Sequence, residues 1–124
     1  FVVKDRQTIS KIFGDFLGLN FMCSEEVSDQ RVITDIYSTG ICKLEFLQAT
    51  SDDSPITSFI EKKGAGMHHI ALIVDKLQSA LDYLKDNGFQ LIDKTPRIGA
   101  EGYKIAFIHP KSTNGILVEL CEKK

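Results

Sequence analysis

The chain has 124 residues, enough for one domain of ordinary size and too few for two, and its 43% hydrophobic and 26% charged residues are the balance of a globular protein. A formal net charge of -2 speaks against general nucleic-acid or membrane-surface binding, which both need clustered Lys and Arg. Any anionic partner must therefore be met by local cations.

Phe1 to Val3 predicts the end of a strand, and an apolar opening without Met predicts further residues ahead of Phe1. Ile9, Ile12, Phe13, Phe16 and Leu17 fall at helical spacing and predict one buried stripe, stopped by Gly18 in a left-handed cap. Strands are predicted at 19–23, 32–37 and 41–48, the last two joined by the turn Ser38-Thr39-Gly40. Ser54 can cap a short helix with Pro55 at its first position, Ile56, Phe59 and Ile60 on its buried side, and Gly64 and Gly66 at its end. A strand at 68–74 follows, then a helix with Leu77, Ala80, Leu81 and Leu84 on one face and Gly88 as its stop. Strands at 89–95, 104–109 and 116–120 complete the chain, the last two joined through Asn114-Gly115.

The second half repeats the first. Laying Val3 on Val74 places Ile9 on Ala80 and Phe13 on Leu84, and a one-residue shift then puts Gly18 on Gly88. Leu44-Glu45-Phe46 falls on Val118-Glu119-Leu120. The fold class read from this pattern is α+β: two βαβββ units at 1–49 and 67–124, joined by a linker helix within 50–66, forming one domain with a curved mixed sheet.

Three cysteines, Cys23, Cys42 and Cys121, are far apart and include no Cys-x-x-Cys pair, so neither a disulfide framework nor a thiolate zinc site is indicated and a reducing compartment is expected. No apolar run reaches the roughly 18 residues that would span a bilayer, so no membrane association is expected.

Glu119 stands between apolar neighbours in a strand, where an unpaired carboxylate is costly. A solvated edge strand is the structural alternative for one such residue, but Glu45 holds the equivalent place in the first repeat, which weakens it. In His68-His69-Ile70-Ala71-Leu72, alternation sends the two histidines to opposite faces, so one of them can face a shared pocket. By the overlay the counterpart of His69 would fall ahead of Phe1. Imidazole and carboxylate together suit divalent Co, Ni, Mn, Fe or Zn with open positions for water or substrate.

Several stretches carry a resemblance: Asp53-Ser54-Pro55-Ile56, then Gly66-Met67-His68-His69-Ile70-Ala71, Ile98-Gly99-Ala100, Ile105-Ala106-Phe107, His109-Pro110-Lys111-Ser112 and Gly115-Ile116-Leu117-Val118-Glu119-Leu120. In this order they resemble the methylmalonyl-CoA epimerases of the vicinal-oxygen-chelate superfamily, which includes glyoxalase I. The resemblance implies a glyoxalase-like fold and a divalent metal, cobalt first and Ni, Mn or Zn next, held by His69, Glu119 and Glu45 and by a first-strand His ahead of Phe1. It also implies a cytoplasmic protein, or one of the mitochondrial matrix in a eukaryote, acting as a homodimer on an acyl-CoA.

The implied reaction inverts the carbon between a thioester and a carboxylate by taking a proton on one side and returning one on the other. Glu119 is the candidate for one base. The strand at 32–37 offers Asp35 for the second, Thr34 being its neighbour. Arg97, Lys104 and Lys111 are the candidate contacts for coenzyme A phosphates, with solvated surface charge as the alternative for each, and His109 is expected to serve the turn before Pro110. Alternatives are a glyoxalase I-type lactoylglutathione lyase, to which Glu45 would contribute a second Glu, and a non-catalytic small-molecule-binding protein of the same fold. An iron dioxygenase fits less well because its two-His, one-carboxylate triad leaves Glu45 redundant.

Overall fold

An extended segment, a helix and a run of antiparallel strands recur in each of two units, Phe1–Met67 and His68–Lys124, in a computed structural model that describes residues 1–124. In the first unit, α1 (Arg6–Ile9) continues directly into a π-helical segment, Ser10–Phe16, and is followed by β1 (Asn20–Val27), β2 (Val32–Ser38), β3 (Lys43–Ala49) and α2 (Pro55–Lys63). The second unit contains β4 (Ile70–Ile73), α3 (Leu77–Asp86), β5 (Arg97–Ile98), β6 (Lys104–Ile108) and β7 (Val118–Glu122).

The first sheet runs β1-β2-β3 with antiparallel neighbours, and Val2 bridges in parallel to Leu47 on the far edge of β3. The second runs β4-β7-β6-β5, with β4 parallel to β7 and the other pairs antiparallel. The registers repeat too. Leu47, two residues beyond Glu45, faces Val2, while Cys121, two residues beyond Glu119, faces Ile73. Val2 therefore corresponds to Ile73, the alignment that lays Val3 on Val74. Gly18 and Gly88 both take positive φ, 71° and 85°, and end their helices as the repeat requires.

Each core follows from strand alternation. In the second unit Leu77 and Leu81 of α3 are buried against Ala106 and Ile108 of β6 and Val118 and Leu120 of β7. Burying the two leucines contributes about 2 kcal/mol each. In the first unit Val2, Val32 and Ile56 pack with Leu47, Ala49, Phe59 and Ile60, which seats α2 on one face of the sheet. Ser54 caps α2 by accepting from the Ile56 N–H at 3.3 Å, with Pro55 in the first turn as expected. On the opposite face Phe46 meets Phe13 at 4.8 Å and Tyr37 at 5.8 Å between ring centroids.

Three expectations need correction. The stripe of five apolar residues at the first helix is not buried as one: Ile12, Phe16 and Leu17 are exposed, and Phe13 alone reaches the aromatic cluster. The cause is the π winding, in which the Leu17 N–H bonds back to the Ile12 carbonyl, so residues spaced for a 3.6-residue turn no longer share a face. The strand expected at 89–95 is reduced to a bridge between Leu91 and Ile108, because the Asp93 carboxylate takes the Phe107 N–H at 2.9 Å that a ladder would have used. The strand that pairs in its place is β5, two residues long. In the other direction, β1 extends to Val27 through the polar residues Ser24, Glu25 and Glu26.

Candidate active site

The registers of the second unit decide which side chains share a face. Glu119 lies opposite Ala71 of β4 and Phe107 of β6, and Cys121 lies opposite Ile73 and Ile105. Cross-strand partners project to the same side, so these six residues form one face, while Val118, Leu120, Ala106 and Ile108 form the other, under α3. His69, two residues before Ala71, reaches the first face from the entry to β4. Arg97 pairs with Ile105 and joins it from β5.

On this face His69 and Glu119 meet. Nε2 of His69 stands 3.2 Å from Oε2 of Glu119, and their side chains are only 16% and 14% exposed. The other carboxylate oxygen, Oε1, accepts from the Cys121 thiol at 3.2 Å. Nδ1 of His69 lies 2.9 Å from Nδ1 of His68, and the His69 ring stands edge-on to Phe107 at 5.7 Å. When Nε2 donates to the carboxylate, a neutral His69 accepts at Nδ1, so the proton between the two rings belongs to His68. With the tautomers exchanged, Nε2 is free to act as a metal ligand while the same bond still orients the ring.

Burial pushes the Glu119 carboxyl up, but the bond from His69, the thiol of Cys121 and the charges of His69 and Arg97 outweigh it and hold the group below its usual range. It is thus a carboxylate at neutral pH, able to accept a proton or bind a cation. A neutral imidazole nitrogen and a carboxylate oxygen are a donor pair that fits a borderline divalent ion. Within either unit no three His, Cys, Asp or Glu side chains gather into a ready-made ligand cluster, so the pair supplies two donors of a set.

A cation sits at the rim. The Arg97 guanidinium lies 5.5 Å from the centre of the Phe107 ring, and its Nε donates to Asp93 Oδ1 at 3.3 Å. The turn after β5 is pressed onto this face: a Cβ at Gly99 would come within 2.6 Å of the Ile105 side chain, and Glu101 adopts a φ of 54°.

The other candidates from the sequence stand elsewhere. Lys104 is one residue out of phase with Ile105 and points to the α3 side, where it pairs with Glu122 at 3.0 Å. Lys111 is exposed in the turn after His109, whose Nδ1 accepts from the Lys111 N–H at 3.1 Å and so serves that turn as anticipated. In the first unit Glu45 of β3 lies opposite Ile36, while Asp35 lies opposite Phe46 on the aromatic side. Asp35 is buried and accepts from Arg6 Nη1 and Ser24 Oγ, each at 2.5 Å. Glu45 and Asp35 are therefore on opposite faces of their sheet.

The model of the glyoxalase/bleomycin resistance protein/dioxygenase superfamily matches residues 1–107. The chain belongs to this superfamily. Within it, an uncharacterized Bacillus subtilis protein, YqjC, is 46% identical over the whole of this chain and 86% of its own length. The ethylmalonyl-CoA/methylmalonyl-CoA epimerase of Cereibacter sphaeroides is 34% identical over 95% of this chain and 90% of its own. A variant methylmalonyl-CoA epimerase from Streptomyces coelicolor, solved with 2-nitronate-propionyl-CoA, superposes with a TM-score of 0.85 at 25% identity, covering 98% of this chain and 89% of that one. In this chain the last strand of the second unit carries Glu119 and Cys121 to the face that His69 reaches.

Four residues of the candidate site were not singled out for it in the sequence: His68, Asp93, Phe107 and Cys121. Strand alternation alone could have supplied Cys121, two places after Glu119, and Phe107, two places after Ile105. Nothing in the pattern marks Asp93.

Proposed function

We propose that the protein is a methylmalonyl-CoA epimerase, interconverting the two configurations at the carbon between the thioester and the carboxylate. The observation that carries the reading is the mostly buried His69–Glu119 pair, whose carboxylate is kept ionised although largely removed from water. The names of the similar enzymes supply the substrate class.

The α-proton of a thioester is weakly acidic, and a base helps only if it is aimed and unprotonated. Glu119 meets both conditions. The Cys121 thiol holds Oε1 and His69 flanks Oε2, so the carboxylate is confined to one orientation before substrate arrives. Its partial burial strips away water that would weaken it as a base. The proton moves from carbon to a Glu119 oxygen, leaving an enolate, and a second acid on the opposite side of that carbon returns a proton to complete inversion. A divalent cation, cobalt first and nickel, manganese or zinc next, would be held by His69 and Glu119 and would stabilise the enolate charge as a Lewis acid. Lys111, exposed and without a carboxylate partner, remains available to a coenzyme A phosphate. A homodimer in a reducing compartment completes the proposal, the latter supported by three cysteines that include no Cys-x-x-Cys pair.

The test is solvent deuterium incorporation into methylmalonyl-CoA, with added cobalt and with a chelator. Metal-dependent exchange at the central carbon is expected in the wild type. In Glu119→Gln the rate should fall by at least about a hundredfold, the lower range for loss of acid–base catalysis. Near-normal exchange in the variant would sink the role of Glu119, and no exchange in metal-loaded wild-type protein would sink the epimerase reading.

A further inference from the structure

We propose that the pocket at the end of α3, walled by the segment 89–94 and by His109, binds the phosphate of a nucleotide, with Lys85 and Lys94 meeting its charge. The pocket has a volume of about 290 Å³ and is lined by Lys85, Phe89, Gln90, Leu91, Lys94 and His109. That is the lower end of the range for small-molecule sites, room for a phosphate and its sugar rather than for a whole cofactor. Its walls are tied to one another. The Phe89 N–H donates to the Leu84 carbonyl at 3.0 Å, the His109 N–H to the Gln90 carbonyl at 2.9 Å, and the Gln90 N–H to Ser112 Oγ at 2.8 Å. Leu91, bridged to Ile108 and packed on the core beneath α3, supplies the apolar floor. The pocket is therefore formed before a ligand arrives.

The helix does not need its lysine. A lysine in the last turn often serves the free carbonyls there, but those of α3 are already taken: Asn87 donates its N–H to the Tyr83 and Leu84 carbonyls, and Gly88 donates to Lys85. Neither Lys85 nor Lys94 takes part in an ion pair or a side-chain hydrogen bond. Two like charges on one small pocket repel each other until an anion stands between them, and a phosphate dianion answers both. Nδ1 of His109 accepts from the Lys111 N–H, so the proton of the neutral ring sits on Nε2 and adds an uncharged donor. Phe89, 42% exposed, offers a ring on which a base can stack. A simple carboxylate would leave that ring unused, whereas a nucleotide uses both the charge and the ring.

Two sources carry this chemistry, the ribose 3′-phosphate end of an acyl-CoA and a free nucleotide. The segment that walls the pocket also borders the candidate active site, because Asp93, next to Lys94, holds Arg97 at the rim of the His69–Glu119 face. One long ligand with its acyl end at Glu119 can pass over that segment, which favours the acyl-CoA. This choice of source rests on the epimerase reading, and the pocket itself does not.

Calorimetry on the whole chain with coenzyme A, 3′-dephospho-coenzyme A and ADP tests the site without turnover, so failure of the epimerase reading leaves the test intact. Wild type should bind coenzyme A roughly tenfold more tightly than the dephospho form, the scale of charged hydrogen bonds at an open site. The double variant Lys85→Gln, Lys94→Gln should lose that preference. If ADP instead binds as tightly as coenzyme A and weakens by the same factor in the double variant, the pocket serves a free nucleotide. Phe89→Leu should weaken nucleotide binding by at least about fivefold and leave inorganic pyrophosphate unaffected; unchanged nucleotide binding there would overturn the nucleotide as the ligand class. The control for diffuse charge is Lys62→Gln with Lys63→Gln, in the last turn of α2. Equal weakening in that control, or coenzyme A and ADP bound by the Lys85, Lys94 variant as by wild type, would overturn the proposal.

Discussion

Among the carboxylates in strand interiors, Asp35 in β2 and Glu119 in β7 have partners that give them different work. Asp35 is locked by Arg6 and Ser24, with its side chain 7% exposed, on the sheet face that packs aromatic rings. Such a group ties α1 to β1 and β2. The pair is partly open through Arg6, 30% exposed, so Asp35→Asn should lower stability by about 2 kcal/mol, less than the loss of a fully buried partner. Exchange per folded molecule should stay within about twofold of wild type, since the barrier is then unchanged to well under 1 kcal/mol. Denaturant titration and the deuterium assay check the two halves; a stable but inactive variant would assign the second base to Asp35. The residue scale is also where the sequence was unevenly legible. His69 and Glu119 stood out because a histidine pair and a carboxylate were embedded in apolar strands, and the repeat gave Glu119 a counterpart. Arg6 was invisible as the partner of Asp35, because 29 positions separate them and only the folded sheet brings them together.

At the scale of elements, α3 shows how a helix without a cap of its own is anchored. Lys76 at its N-terminal boundary offers no capping side chain, and Glu122 of β7 supplies the acceptor, taking the Leu77 N–H at 2.6 Å through Oε2. Lys104 holds the other oxygen. The Leu77 bond, then the Lys104 bond, set the Glu122 carboxyl below the 4.5 of a free glutamate against an opposing effect of desolvation, with the Lys104 charge adding to the lowering. A depressed folded-state value stabilises the protein above the unfolded value and is lost as pH falls through the folded one. Glu122→Gln should therefore melt lower than wild type near neutrality, and the gap should close as pH drops below about 4.5. Melting curves across that range decide it, and a gap independent of pH would refute the charge argument. Element type was readable where the period agreed with a cap or a stop, as with Ser54 before α2 and Gly88 after α3. It failed where a side chain replaced the backbone, as Asp93 does beside β6, or where the turn widened, as it does from Ser10 to Phe16.

For the whole molecule, the repeat was legible because two registers had to match: Val2 beside Leu47 and Ile73 beside Cys121 are the same pairing written twice. That duplication turns a local carboxylate into an expectation about metal, and the stability of the entire chain can test it. A cation that binds the folded state and not the unfolded one adds about 2.7 kcal/mol at a concentration 100 times its dissociation constant. For a chain of this length that is a rise of roughly 10 °C in Tm. Cobalt should raise Tm in a saturable manner, and a chelator should reverse it. A net charge of -2 attracts divalent ions weakly at many places, so the decisive control is His69→Ala. That change removes one neutral donor while leaving the net charge at neutral pH almost unaltered, so diffuse binding would raise Tm equally in both proteins. A shift confined to the wild type would locate the cation at His69, and equal shifts would count against a metal site there.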